Sequence, residues 1–105
     1  EYQQVEPMLA KSSLLVAGRY WAGYLDVHDP RVSPIFGDLG GLRNVTVFVG
    51  TDEILYPDVR KMFFLLDEDP TNELIVGEGM NHVYPLYPIA EAESARSKVF
   101  HTVLR

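Results

Sequence analysis

The sequence predicts an α/β chain with parallel strands, on three observations: two short apolar runs, an amphipathic stretch between them, and a second helical stretch after them. Residues 45–50, Val45-Thr46-Val47-Phe48-Val49-Gly50, are almost continuously β-branched or aromatic, and residues 73–77, Glu73-Leu74-Ile75-Val76-Gly77, repeat the habit. Runs apolar at consecutive positions suit strands covered on both faces, as in parallel sheets. A strand, a helix and a strand in that order pair in parallel through a right-handed crossover.

The chain divides into three stretches. Residues 1–25 read as helical, residues 26–44 as a loop, and residues 45–105 as a β-α-β-α unit within one domain. In the first, Leu9, Leu14, Leu15, Gly18, Trp21 and Ala22 share a stripe at spacings of three and four. That spacing predicts two short helices, with Ser12 or Ser13 as the cap between them. Tyr20, Trp21 and Tyr24 on such a face are ordinary core material, although aromatic side chains also line substrate pockets.

Residues 26–44 are punctuated by Pro30, Pro34, Gly37, Gly40 and Gly41. Each X-Pro bond pushes its predecessor out of the helical region, so this is a long loop, and long loops in small domains have a packing or functional role. His28 stands between Asp26 and Asp29. Those three residues alone lack the ligand number and spacing of a metal site, and no metal is expected.

After the first strand, Thr51-Asp52-Glu53-Ile54-Leu55 leads into a helix over roughly residues 57–66, opened by Pro57 and Asp58. Val59, Met62, Phe63 and Leu66 lie on one face of it, and residues 67–72 break it. After the second strand, residues 79–85, Gly79-Met80-Asn81-His82-Val83-Tyr84-Pro85, form a loop before a closing helix over residues 90–104 that carries Val99, Val103 and Leu104. Parallel strands end at the same edge of their sheet. The acidic pair Asp52-Glu53 and His82 are therefore expected to be neighbours, at the edge where open α/β sheets bind ligands. A carboxylate bonded to one imidazole nitrogen fixes the tautomer, so the other nitrogen can take a proton.

Composition narrows the alternatives. The 105 residues are 47% hydrophobic and 23% charged, an ordinary globular balance, with a net charge of −6. Nine scattered Lys and Arg residues do not make a phosphate-binding surface, so nucleic acid is not an expected partner. There are no cysteines, which excludes disulfides and thiolate metal sites and fits a reducing compartment. No apolar run is long enough for a membrane span, and Glu1-Tyr2-Gln3-Gln4 is not a basic start followed by an apolar core. The expected location is the cytoplasm.

Three motifs, in order and at fitting distances, carry a family resemblance: residues 33–42 with Ser33-Pro34 and Gly40-Gly41-Leu42, the strand exit from Gly50 through Glu53 and Leu55 to Asp58, and the turn Gly79-Met80-Asn81-His82. Together they resemble the C-terminal part of an α/β-hydrolase of the hormone-sensitive-lipase-like esterase and lipase family, over nearly the whole chain. The resemblance implies a partial α/β-hydrolase domain, with residues 1–25 as a cap-side segment. It implies a serine carboxylic ester hydrolase, needing no cofactor, whose triad histidine is His82. Family members carry the triad acid in Gly-x-x-Asp-x-Leu. Gly50 and Leu55 set that register and put Glu53 at the acid position, where the family usually has Asp. Glutamate is one methylene longer and can orient a histidine equally well. Asp52, one residue out of register, is the alternative acid. The cap-side placement also suggests substrate contact for Trp21 or Tyr20.

The family's nucleophile elbow, Gly-x-Ser-x-Gly, and its His-Gly-Gly oxyanion loop do not occur in these 105 residues. The chain is therefore expected to be inactive by itself, and to pair with a missing N-terminal portion or with itself, because two parallel strands do not form a stable sheet alone. The alternative is a non-catalytic binding or accessory module with a hydrolase-like half-fold.

Overall fold

The computed structural model describes residues 5–66 and 68–104. Residues 1–4 and Asp67, the first residue of the expected helix break, lie outside the described residues. Helix α1 spans Lys11–Ala22, strand β1 Thr46–Gly50, helix α2 Tyr56–Phe64, strand β2 Glu73–Gly77 and helix α3 Glu93–Leu104, with single 3-10 turns at Pro34–Phe36, Tyr84–Leu86 and Ala90–Ala92. The two strands pair in parallel with Thr46 opposite Glu73 and Gly50 opposite Gly77, so both finish at one edge. The α/β class, the parallel pairing and the order of elements are as the sequence predicts.

The N-terminal stretch differs from expectation. Ser12 and Ser13 lie inside the first turn of α1, and its N-cap is Ala10, in extended conformation with no side-chain cap bond. They cannot separate two helices there. Residues 6–9 leave the helical path because Glu6 Oε1 accepts the N–H groups of Met8 at 2.7 Å and Leu9 at 3.1 Å, a local side-chain bond that competes with helix. The covered stripe of α1 is also narrower than predicted. Ala22 is buried, whereas Leu15 and Trp21 are exposed.

Residues 26–44 are ordered by their own side chains. Asp29 receives the Arg31 N–H and guanidinium, and this pairing holds its carboxyl down at about 2. The Ser33 hydroxyl donates to the Val27 carbonyl at 2.7 Å, and His28 bonds Asp26 while packing against Phe36 in a tilted arrangement, with ring centroids 4.9 Å apart. The loop is anchored to the sheet by Asn72, a buried amide. Its Nδ2 donates to the carbonyls of Leu42 and Leu66, and its Oδ1 accepts the Val45 N–H at 3.0 Å. One side chain thus ties the loop, the end of the α2 segment and the start of β1 to the start of β2, which fixes the strand register.

The core is small. Val49 of β1 is fully buried, and Tyr84, Ala92 and Ala95 form a cluster against which Phe48, Met80 and Ile89 pack. Helix α3 therefore docks through Ala95, and the 3-10 turn before it through Ala92, small residues that admit close approach. Val103 and Leu104, apolar residues of the closing helix, are exposed. No helix among the described residues is long and apolar enough to cross a membrane.

Candidate active site at the strand ends

The loops that leave β1 and β2 are laced together by their backbones. Thr51 N–H donates to the Gly77 carbonyl at 3.0 Å and Asp52 N–H to the Met80 carbonyl at 3.0 Å, while Thr51 Oγ1 accepts the Gly79 N–H at 2.7 Å. This contact leaves no room for side chains at the strand ends. A Cβ on Gly50 would overlap the Met80 carbonyl, and one on Gly77 would stand 2.7 Å from the Tyr84 ring. Both strands end in glycine because the loop that leaves β2 occupies the space at both ends.

The second loop then turns sharply. Val83, immediately after His82, has φ 54°, in the left-handed region that a β-branched residue rarely enters and that costs about 1–2 kcal/mol. Backbone strain of that kind is held where the surroundings over-determine a geometry. Here the Asn81 carbonyl accepts the Tyr84 N–H at 3.3 Å, and the buried Tyr84 ring anchors the far side of the turn.

The turn brings His82 to Glu53. His82 Nδ1 lies 3.2 Å from Glu53 Oε1, and Glu53 Oε2 accepts the Gly50 N–H at 2.9 Å. The Glu53 side chain is 5% exposed and the His82 side chain 31%. A buried carboxylate at Nδ1 selects the tautomer with its proton there, which leaves Nε2, unbonded by any described residue, as an acceptor at the partly open side. Such a histidine can take a proton from a hydroxyl placed before it, and the carboxylate stabilises the resulting imidazolium.

Of the residues singled out from sequence, the fold brings Glu53 and His82 together. Asp52 sits in the same turn, but its Oδ1 accepts from Thr51 Oγ1 at 3.4 Å and its backbone serves the loop-to-loop bond. Tyr20 and Trp21 are 85% and 77% exposed, and no ring or hydrogen-bond contact ties them to the His82 loop among the described residues. His28 belongs to the separate Asp26 and Phe36 cluster.

One residue at the site has no signature in the sequence. Glu6 is buried, and its Oε2 accepts the N–H of Ile54, 48 residues away, at 2.9 Å. Burial pushes its carboxyl up, but the N–H groups of Ile54, Met8 and Leu9, helped by nearby His82, bring it below the ordinary value. Nothing local distinguishes a glutamate before proline from a surface charge, and only the fold reveals its partner.

The α/β-hydrolase-fold model matches residues 1–86 of this chain. Among solved structures, the chain is similar to a Staphylococcus aureus protein described as an esterase, with 25% identity and a TM-score of 0.87 over 99% of this chain and 36% of that one. It is also similar to an esterase/lipase from an uncultured bacterium, with 29% identity and a TM-score of 0.79 over 95% of this chain and 34% of that one. The chain thus spans about a third of the length of these structures. No curated protein matches it. A parallel β-α-β-α unit with an acid and a histidine at one sheet edge, and a match over most of its length, together place the chain in the α/β-hydrolase-fold family, alongside esterase and lipase structures.

Proposed function

We propose that this chain supplies the acid and the histidine of a serine carboxylic ester hydrolase, Glu53 as the acid and His82 as the general base, and that the nucleophile comes from outside these 105 residues. The observation that carries this reading is the 3.2 Å contact between His82 Nδ1 and a glutamate buried at the end of the neighbouring strand. The pair performs the proton part of acyl transfer. His82 Nε2 takes the proton of an attacking serine hydroxyl, Glu53 stabilises the imidazolium, and the same proton then goes to the departing alcohol.

A serine elbow and an oxyanion hole are required before this pair has a reaction to assist, and the sequence contains neither motif. On this reading the chain by itself turns over no ester and works against a nucleophile-bearing segment, with a small ester as the substrate of the assembled site. Trp21 and Tyr20, exposed on α1, are candidates for substrate contact in that assembly.

The test is an assay against a short-chain p-nitrophenyl ester, first of the chain alone and then of the chain joined in frame behind the elbow-bearing segment of the Staphylococcus aureus relative. The expected result is background turnover alone, turnover in the fusion, and a loss of roughly 10⁴-fold or more on His82→Ala. Fusion activity that survives His82→Ala overturns the assignment of the histidine.

A further inference from the structure

Glu6 is a buried carboxylate that the proton-transfer step does not use. It stands on a segment far from both catalytic loops in sequence, yet it touches one of them directly and reaches the other through its neighbour. Its Oε2 accepts the N–H of Ile54, the residue after Glu53, while Oε1 accepts those of Met8 and Leu9. Those bonds hold Met8 so that its sulfur receives the Asn81 amide at 3.3 Å and the Tyr87 hydroxyl at 2.7 Å. Asn81 precedes His82. The turn at residues 6–9 is therefore a clamp, fastened to the acid loop by a carboxylate and to the histidine loop by a thioether.

We infer that Glu6 is a positioning residue for the Glu53–His82 pair: it fixes the peptide between Glu53 and Ile54 through its bond to Ile54, and it holds the Met8 turn that bonds Asn81, the residue before His82. This rests on the reading of Glu53 and His82 as a catalytic pair and adds a third group to it. One property makes the carboxylate suited to the role. Both of its oxygens accept, so an isosteric amide can hold only one side of the clamp.

The experiment is NMR on the isotope-labelled chain, comparing the original with Glu6→Gln, Glu6→Asp and Glu53→Gln. Two signals are read: solvent exchange of the Ile54 amide, referenced to Val47 in the strand, and the downfield Nδ1–H resonance of His82. Glu6→Gln is expected to accelerate Ile54 exchange about tenfold relative to Val47 and to move or weaken the His82 resonance. A purely structural role predicts faster exchange at both amides with the His82 resonance in place, and that result overturns the inference. Where Glu6→Gln does not fold, Glu6→Asp carries the same readout. It keeps the charge but loses a methylene of reach, and an unaltered Ile54 amide in that variant is equally fatal. Glu53→Gln separates the two levels. A His82 resonance indifferent to Glu53→Gln removes the catalytic pair and the inference with it, whereas one lost with Glu53→Gln but indifferent to Glu6→Gln removes the inference alone.

Discussion

Glu53 and His82, 29 residues apart in the chain, meet at 3.2 Å because β1 and β2 end level with each other, Gly50 opposite Gly77. The bonding of Glu53 predicts how its amide analogue fails. In Glu53→Gln one terminal atom can still accept the Gly50 N–H, which leaves the NH₂ group facing His82. An N–H donor there requires Nδ1 to accept, and the imidazole proton moves to Nε2, the nitrogen that must take a proton from the serine. In the fusion with a nucleophile-bearing segment, Glu53→Gln is expected to lower kcat by roughly 10⁴-fold with little change in KM. Asp52→Asn is expected to stay within about threefold, since no step in that mechanism uses Asp52. The reverse ranking of the two variants would transfer the acid role to Asp52.

The closeness of the two loops predicts opposite outcomes for two glycines. Gly50→Ala places a methyl group where the Met80 carbonyl stands, and a backbone atom cannot move aside as a flexible side-chain tip can. Overpacking of this kind costs about 1–3 kcal/mol and displaces the His82 loop as well. Gly18→Ala, inside α1 with nothing within 4 Å of the added methyl, is expected to stabilise the chain by about 0.5–1 kcal/mol. Denaturant unfolding of the two variants measures both. A neutral Gly50→Ala would show that the loops are not in contact as described.

The legibility of this chain in its sequence divides along the same line. Val45 to Gly50 and Glu73 to Gly77 are recognisable as strands by their nearly continuous apolar, β-branched runs, although the two-sided cover those runs suggest is absent among the described residues, where β1 is buried only at Val49 and Gly50 and Val76 of β2 is exposed; the parallel order then places Glu53 and His82 at one edge. The caps were less legible. Ser12 and Ser13 have the right chemistry for a helix start, but the Glu6 carboxylate takes up the N–H groups just upstream and α1 begins at Lys11. Helix α3 shows a different limit. Val99, Val103 and Leu104 are the apolar residues that stand out in its sequence, whereas the contact is made by Ala95 and by Ala92 in the turn before it, and Val103 and Leu104 are left exposed. Asn72 and Glu6 were invisible for a third reason. A buried polar side chain is defined by backbone groups tens of residues away, Val45 and Leu42 in one case and Ile54 in the other, and neither pairing has a local pattern.

Glu6 also predicts an acid-side loss of stability. Its carboxyl in the folded chain lies below its ordinary value of 4.5, so the unfolded chain binds the proton more tightly. The stability it contributes is fully present above about 4.5 and is lost as pH falls through the lower folded value. Glu6→Gln has no such proton to bind. The difference in stability between the two chains is expected to be constant from pH 7 to about 5 and to shrink below that, as measured by denaturant unfolding across the range. A difference that grows towards acid would mean that the carboxyl is raised, not lowered, by folding.

The exposed apolar side chains predict what the chain does in solution. Two strands and six buried apolar residues among the described residues, with a radius of gyration of 15.1 Å, describe a chain more open than the roughly 13 Å expected for a compact domain of this length. Trp21, Tyr20, Phe100 and Leu104 are each more than 60% exposed, and α1 and α3 both carry aromatic residues on uncovered faces. Single exposed apolar residues are ordinary, but unpaired strand edges beside such helices invite association. The chain alone is expected to sediment as a concentration-dependent mixture, and Phe100→Ser with Leu104→Ser to shift it towards monomer. Trp21, the single tryptophan, gives an independent reading. Its emission should lie to the red in dilute solution and move to the blue when the nucleophile-bearing segment is added, if α1 is covered in the assembly. A monodisperse monomer with a cooperative melt, unaffected by that segment, would count against any missing partner, because it would mean that this small core suffices without one.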